Sequence, residues 1–318
     1  MIRLDNTQPI PPHLRGAILA LGNFDGFHRG HQAVVGAALA WARAEQRPCI
    51  VATFDPHPVR MFQSDAAPFR LTSLDQRQEL FAEVGADAML VFHFNRDMAA
   101  TPAEDWVRDA IAGYVGAAGV VTGEDFTFGK GRAGSSELLR RVGATCGLQA
   151  RAVAAVHDDQ GPISSSRIRL ALQAGDCETA AALLTRPFAM RGTVQHGDKR
   201  GRMIGYPTAN IDAGQYLRPL YGIYAVTARL LGGDELTGGG KLTGAANFGI
   251  RPTFDPPKEL LEPYFFDFSG DLYGQEIDVS FVHFLRGEAK FDSLDALTTQ
   301  MASDCRDARA WLGRAQPA

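Results

Sequence analysis

Two histidines three residues apart, His28 and His31, close the run Gly22-Asn-Phe-Asp-Gly-Phe-His-Arg-Gly-His31. An apolar stretch, AILALGNF (17–24), precedes the run. HQAVVGAALAWARAEQ (31–46) follows it, with Val34, Val35, Ala38, Leu39 and Ala42 at helical spacing. Glycines and Asp25 suffice for such a turn, and histidines are not needed to make it. The glycines let the backbone approach a ligand closely. The helix start offers free N–H groups and a positive dipole end, which is a phosphate site. Two imidazoles about one turn apart share a face. They can donate to phosphate oxygens and stabilise charge that grows on a phosphorus under attack. Phosphoryl and nucleotidyl transfer ask for that help. The plainer alternative is a helix-start turn with two incidental histidines. Asp25, three glycines and two histidines within ten residues favour the functional reading. A metal centre at the pair is disfavoured, because no third ligand stands at suitable spacing.

A second chemical stretch is RGTVQHGDKRGRMIGYPTANI (191–211). Gly192, Gly197, Gly201 and Gly205 alternate with Lys199, Arg200 and Arg202, a composition suited to wrapping phosphates. Thr208 and Asn210 stand two apart, so in a strand they share a face. Their neutral oxygens can ligate a Mg²⁺ that bridges ATP phosphates. Taken alone, the stretch also fits a basic, solvated hairpin.

The elements that must position these residues fall into two patterns. Up to about residue 185, strand-like and helix-like segments alternate: 17–24, 48–55, 87–94 and 118–126 as strands, and 31–46, 74–85, 102–116 and 163–187 as helical segments. Such alternation predicts a mostly parallel sheet wound by helices, whose ligands sit at the carboxyl ends of strands. Gly22–His31, Asp55–His57 and Gly123–Phe128 all fall at such ends. From Phe188 the chain turns to short strands with Gly-rich turns, which predicts a small antiparallel β-barrel. SLDALTTQMASDCRDARAWLGR (293–314) predicts a closing helix, with Ser293 as cap and Leu294, Leu297, Met301, Cys305, Ala308 and Leu312 as its apolar stripe. The expected domains are 1–185 and 186–318.

The bulk properties narrow the partners. The 318 residues carry a net charge of −4, which gives no general attraction to nucleic acid or an anionic membrane. Cys49, Cys146, Cys177 and Cys305 are scattered, and fit a reducing compartment better than a disulfide framework. No stretch has the length of a membrane span, and the first residues lack an apolar run of signal length. A cytoplasmic protein without nucleic-acid or membrane partners is expected, its oligomeric state open.

GNFDGFHRGH resembles the GxFDGxHxGH signature of the nucleotidyltransferase superfamily. TFDPHPVRMF (53–62), TGEDFTFGKGRAG (122–134) and ISSSRIR (163–169) resemble stretches of the bacterial bifunctional riboflavin kinase/FAD synthetases. The stretch 191–211, LYGIYAV (220–226), NFGIRPTF (247–254) and LLEPYFFDFSGDLYGQ (260–275) resemble that family's kinase module. The resemblance runs from about residue 17 to 313. It implies a Rossmann-like nucleotidyltransferase module followed by a β-barrel kinase module. ATP and Mg²⁺ would be used to convert riboflavin to FMN, and a second ATP to convert FMN to FAD.

The resemblance also implies roles. Gly22, Phe24, Asp25, His28 and His31 would hold ATP, with Ser165, Ser166, Arg167 and Arg169 closing over its phosphates. Asp125 and Phe128 would lie on the flavin side. Gly197, Lys199, Gly201, Arg202 and Gly205 would bind the kinase nucleotide, and Thr208 and Asn210 its Mg²⁺. Glu262 would be the general base, although by composition Glu259 and Glu288 look no different from it.

Four residues depart from the family pattern. Ser166 replaces Thr and keeps the hydroxyl. Tyr206 replaces Phe, and Phe248 replaces a small aliphatic residue; both are expected to retune ligand fit. Pro263 predicts an edge or bulged strand. Three rivals remain open: a monofunctional enzyme, an adenylyl- or cytidylyltransferase of another cofactor pathway, and a flavin-binding protein without turnover.

Overall fold

The computed structural model describes residues 1–63, 65–196, 205–231, 241–251 and 258–314. The chain divides into two compact units, Met1–Ala67 with Leu74–Ser164, and Pro68–Ser73 with Ser165–Ala318.

The first unit begins with β1 (Ile2–Asp5), β2 (Ile18–Leu21), α1 (Arg29–Ala44), β3 (Cys49–Asp55), α2 (Pro58–Phe62), α3 (Leu74–Glu83) and β4 (Ala88–His93). It continues through α4 (Arg96–Ala100), α5 (Ala103–Asp105), β5 (Gly119–Gly123), α6 (Ser136–Thr145), β6 (Gln149–Val153) and the small hairpin of β7 (His157–Asp158) and β8 (Gly161–Pro162). The strands β1 to β6 pair in parallel in the order β1-β4-β3-β2-β5-β6. Successive strands step outward from β2 on one side, and β5 and β6 lie on the other. The order therefore reverses between β2 and β5, and the crevice beyond their carboxyl ends is where such sheets bind ligands.

Helices cover both faces, so β2 is buried at every residue. Ile18 and Ala20 pack with Val35, Ala38 and Trp41 of α1, while Leu19 and Leu21 pack with Trp106 and Ile111. The period of two along the strand sorts them between two cores. The helix predicted over 102–116 forms as α5 followed by a π-helix, Trp106–Val115. Sequence reasoning missed β1, α6, β6 and the β7–β8 hairpin. The strands β1 and β6 are edge strands of four and five residues with largely exposed side chains, and their alternation, IRLD and QARAV, is too short to stand out.

The second unit holds α7 (Ser165–Gln173), α8 (Cys177–Leu184), β9 (Phe188–Thr193), β10 (Ile211–Asp212), β11 (Gly222–Leu231), β12 (Leu242–Arg251), β13 (Lys258–Phe265), β14 (Glu276–Gly287) and α9 (Leu294–Arg314). Its strands pair antiparallel in the order β10-β13-β12-β11-β14-β9. Beyond β9, the Gln195 N–H donates to the Asn210 carbonyl at 2.8 Å, which joins the two ends of the sheet into a barrel. Gly192 makes that approach possible: a Cβ there would stand 2.6 Å from Ile211. The barrel core is aromatic. Phe281 meets Phe188, Tyr224 and Phe248 with ring centroids 5.6, 4.9 and 6.2 Å apart.

Three expectations are corrected here. Phe248 is fully buried against Tyr221 and Phe281, so it fills the barrel core and does not face a ligand cavity. Around Pro263 the β12–β13 register runs unbroken, with no bulge. The Pro263 carbonyl accepts from the Ala209 N–H, so the nitrogen without hydrogen also faces away from β12, just past the end of the two-residue β10. In the stripe of α9, Ala308 and Leu312 pack on the barrel, but Leu294 is exposed. Ser293 caps this helix, its Oγ accepting from the Ala296 N–H at 3.1 Å.

No described helix is long and apolar enough to cross a membrane.

Candidate functional site

The turn between β2 and α1 is strained and tightly held. Phe24, Gly26 and Phe27 all have left-handed backbone, with φ of 50°, 86° and 45°. For phenylalanine that conformation costs roughly 1–2 kcal/mol each. Burial offsets the cost. Both rings are 1% exposed and pack edge-on against Phe81, at centroid distances of 5.8 and 5.0 Å. The backbone is pinned as well: the Asn23 carbonyl accepts from Thr53 Oγ1 at 2.7 Å and from Arg77 Nη1 at 3.1 Å.

The turn delivers His28 as the N-cap of α1. Its backbone is extended and its Nδ1 accepts from the His31 N–H at 3.4 Å. With Nδ1 accepting, the neutral ring carries its proton on Nε2 and presents it as a donor. The His31 ring stacks on His28 with centroids 3.6 Å apart and planes 21° apart, and meets Phe24 edge-on at 5.3 Å. Gly30 makes room for the stack, because a Cβ there would lie 3.1 Å from His28 Cε1. Gly22, Phe24, Asp25, His28 and His31 are thus brought together at one helix mouth, with Asp25 buried among them.

Asn23 also faces a cavity of about 590 Å³ at the ends of β3 and β5. Its walls are aromatic, including Phe54, Phe62, Phe94, Trp106 and Phe128. Phe128 is held over Trp106 at 5.2 Å by paired backbone hydrogen bonds to Gly134, where a Cβ would strike the Phe128 ring at 2.7 Å. Two lining residues each bury a side-chain atom without a hydrogen-bond partner among the described residues: the donor Trp106 Nε1 and the acceptor Asn23 Oδ1. An apolar slot walled by aromatic rings suits a flat heterocycle. Sequence reasoning missed Asn23 and Trp106. Asp125 is exposed on the turn after β5 and does not line this cavity.

Ser165, Ser166, Arg167 and Arg169 open α7 in the second unit. Ser166 is exposed, and Arg169 Nε donates to the Phe69 carbonyl at 2.9 Å, with its guanidinium over the Phe69 ring.

The barrel unit has its own cavity, about 570 Å³, between the rim of β12 and β13 and the first half of α9. Thr208 and Glu262 line it; Asn210 is buried at the barrel junction and is not in the wall. The register separates Glu259 from the other two glutamates that composition leaves equal. Glu259 and Glu262 are three apart on β13 and point to opposite faces. Glu259 is tied by Arg218 at 2.7 Å and by the Tyr221 hydroxyl. Glu262 faces the cavity, as does Glu288 from the end of β14. Leu294, Leu297 and Met301 of α9 face the cavity and not the barrel core, while Cys305 lines the cavity and also packs on the barrel. Tyr206 lies edge-on to Tyr264 at 5.2 Å, and both line the cavity.

Glu262 receives the Arg251 guanidinium, and Asn247 Nδ2 at 3.5 Å. The other Asn247 side-chain atom, Oδ1, is buried without a partner among the described residues. Gly205 is exposed with φ of 85°. Gly197, Lys199, Gly201 and Arg202 lie outside the described residues.

Comparison with known proteins follows the same division. The FAD synthetase family model matches residues 10–167, and the riboflavin kinase family model matches residues 184–312. The chain is 38% identical over 303 residues to the bifunctional riboflavin kinase/FMN adenylyltransferase of Escherichia coli strain K12, covering 95% of each. It is 35% identical over 302 residues to the protein of the same description from Bacillus subtilis, covering 92% of this chain and 91% of that one. A crystal structure described as a macrolide-efflux protein from Streptococcus pneumoniae superposes with a TM-score of 0.85 at 30% identity, covering 98% of this chain and 100% of that one.

Proposed function

The chain belongs to the bifunctional riboflavin kinase/FMN adenylyltransferase family, and from that premise we infer how its residues divide two reactions. The enzyme phosphorylates riboflavin to FMN and adenylylates FMN to FAD, with ATP as donor in both steps. The observation that carries the division is the presence of two separate sites, each within its own unit: a stacked histidine pair at a helix mouth, and a carboxylate-bearing cavity on a barrel rim. The family matches support a boundary near residue 185, with 1–185 for adenylylation and 186–318 for phosphorylation.

In the adenylyl step, a phosphate oxygen of FMN attacks the α-phosphorus of ATP, and pyrophosphate leaves. His28 and His31 donate to the phosphate oxygens as charge redistributes, and the N–H groups of the α1 start add to the same field. The aromatic slot of Phe128 and Trp106 holds the isoalloxazine. The resemblance of ISSSRIR supports phosphate binding by Ser165, Ser166, Arg167 and Arg169, and it is also the support for a flavin-side role of Asp125.

In the kinase step, Glu262 accepts the proton of the ribityl 5′-hydroxyl as that oxygen bonds to the γ-phosphorus and ADP departs. Thr208, in the cavity wall, would hold Mg²⁺, which when bound neutralises the phosphates of ATP; for Asn210, outside that wall, the support is the family resemblance alone. Gly197, Lys199, Gly201, Arg202 and Gly205 would line the phosphate loop. Cytoplasmic location fits the four free cysteines and substrates of this kind.

A chromatographic time course with riboflavin, excess ATP and Mg²⁺ tests the reading. FMN that rises first and is then consumed to FAD supports it. FMN without FAD would leave the histidine pair without its role, and bound but unconverted riboflavin would overturn both assignments.

A further inference from the structure

Arg251 bridges two carboxylates in the barrel cavity. One nitrogen, Nη2, contacts Glu262, and the other, Nη1, stands 4.0 Å from Glu288 Oε1. The neighbouring guanidinium of Arg286 is committed elsewhere, gripped by both oxygens of Asp304 at 2.8 and 2.6 Å. Asn247, Gly249 and Arg251 share one face of β12, and Glu262 lies opposite Asn247 on that face. The Arg251 side chain therefore runs back over Gly249 to reach Glu262.

Gly249 keeps that lane open. Its backbone φ is not left-handed, so its own conformation does not demand glycine. A Cβ at this position would lie 2.1 Å from Glu288 Oε1. The missing side chain is what lets the Glu288 carboxylate lie beside Arg251.

As it stands, the pair poses a chemical problem. A carboxylate engaged by a guanidinium is a poor proton acceptor, since the charge-assisted bond stabilises its ionised form. A base for the ribityl hydroxyl needs an oxygen open to that hydroxyl. We propose that Glu288 is a positioning residue for riboflavin phosphorylation: it draws the Arg251 guanidinium off Glu262 and leaves that carboxylate open to the substrate. Arg251 then acts as a guard with two posts, on Glu262 at rest and on Glu288 during turnover. This rests on the reading of Glu262 as the base.

The test uses the full chain with riboflavin, ATP and Mg²⁺. Glu288→Gln, which keeps shape but loses charge, is expected to lower kcat for riboflavin phosphorylation by about tenfold while KM for riboflavin stays within about twofold, the pattern of a lost transition-state contribution. Adding Arg251→Gln to that variant removes the guard and is expected to recover most of the kcat. Gly249→Ala displaces the Glu288 carboxylate by a different route and is expected to reproduce the loss. Thermal unfolding of the same preparations and the retained KM for riboflavin report that the barrel unit is folded in each variant. Wild-type kcat in Glu288→Gln, or a double variant no faster than Glu288→Gln, overturns the proposal. Glu262→Gln measured alongside separates the two ideas. If that variant phosphorylates riboflavin at the wild-type rate, the base assignment falls and the proposal with it. If it is inactive while Glu288→Gln is unaffected, only the proposal falls.

Discussion

The imidazoles of His28 and His31 stack face to face with centroids 3.6 Å apart, and His28 also caps the helix on which His31 sits. One side chain thus fixes both the start of α1 and the position of its partner ring. His28→Ala is expected to lower FAD formation from FMN by about 10²–10³-fold, the usual cost of one transition-state donor. Riboflavin phosphorylation should stay within about twofold. Stability should fall by only about 1 kcal/mol for the lost cap. Separate assays on riboflavin and on FMN, with thermal unfolding beside them, check all three. Equal loss of both activities in a folded variant would defeat the two-site assignment.

Glu262→Ala should do the reverse. Loss of a general base costs about 10²–10⁴-fold in phosphorylation, whereas FAD formation from supplied FMN should persist. A matched pair of single-substrate assays decides it.

Trp106 presents a buried N–H with no partner among the described residues. If FMN supplies the acceptor, Trp106→Phe should raise KM for FMN by about 5–15-fold, worth about 1–1.5 kcal/mol. KM for ATP and the kinase reaction should not move. Unfolding stability should hold or rise slightly, because an unsatisfied buried donor has been removed. An unchanged KM for FMN would mean that the slot binds its ligand without this donor.

Glu259 offers a pH-dependent test on the face of β13 away from the cavity. Burial raises its pKa, but hydrogen bonds from Tyr221 and Arg218 outweigh that and hold it below the ordinary value of 4.5. A depressed folded-state pKa adds stability that is present above the unfolded value and lost as pH falls through the folded one. Tyr221, pushed up to about 12 mainly by burial, stays a donor throughout that range. Glu259→Gln should therefore cost about 1 kcal/mol at neutral pH, with the gap closing as the medium is acidified below 4.5. Denaturant titrations at several pH values read the gap; a constant difference would show that the carboxylate charge is not what holds Arg218.

The parallel sheet was legible because its central strands are unbroken apolar runs, and the barrel because its strands lack intervening helices. The edges were not, since β1 and β6 are largely exposed and their alternation spans only four and five residues. The π-helix at Trp106–Val115 has the same apolar residues an α-helix would have, so its winding was hidden. At the sites, the histidine pair could be read because its residues are neighbours in sequence. Asn23 and Trp106 meet only through the fold. Composition left Glu262 and Glu259 equal; the family resemblance singled out Glu262, and the register of β13 gives the physical difference, since the two occupy opposite faces.

The strained turn of Phe24, Gly26 and Phe27 is completed by a third ring, Phe81, far from it in sequence. The turn proposed to cradle phosphate is consequently shaped when the chain folds, and a nucleotide would meet it already ordered. The entropy that a floppy glycine loop would lose on binding has been lost beforehand, so affinity for ATP at this site should respond to Phe81→Leu even though that side chain never touches a nucleotide. The change would arrive as a less favourable binding entropy, readable by titration calorimetry, with the enthalpy of the phosphate contacts largely preserved.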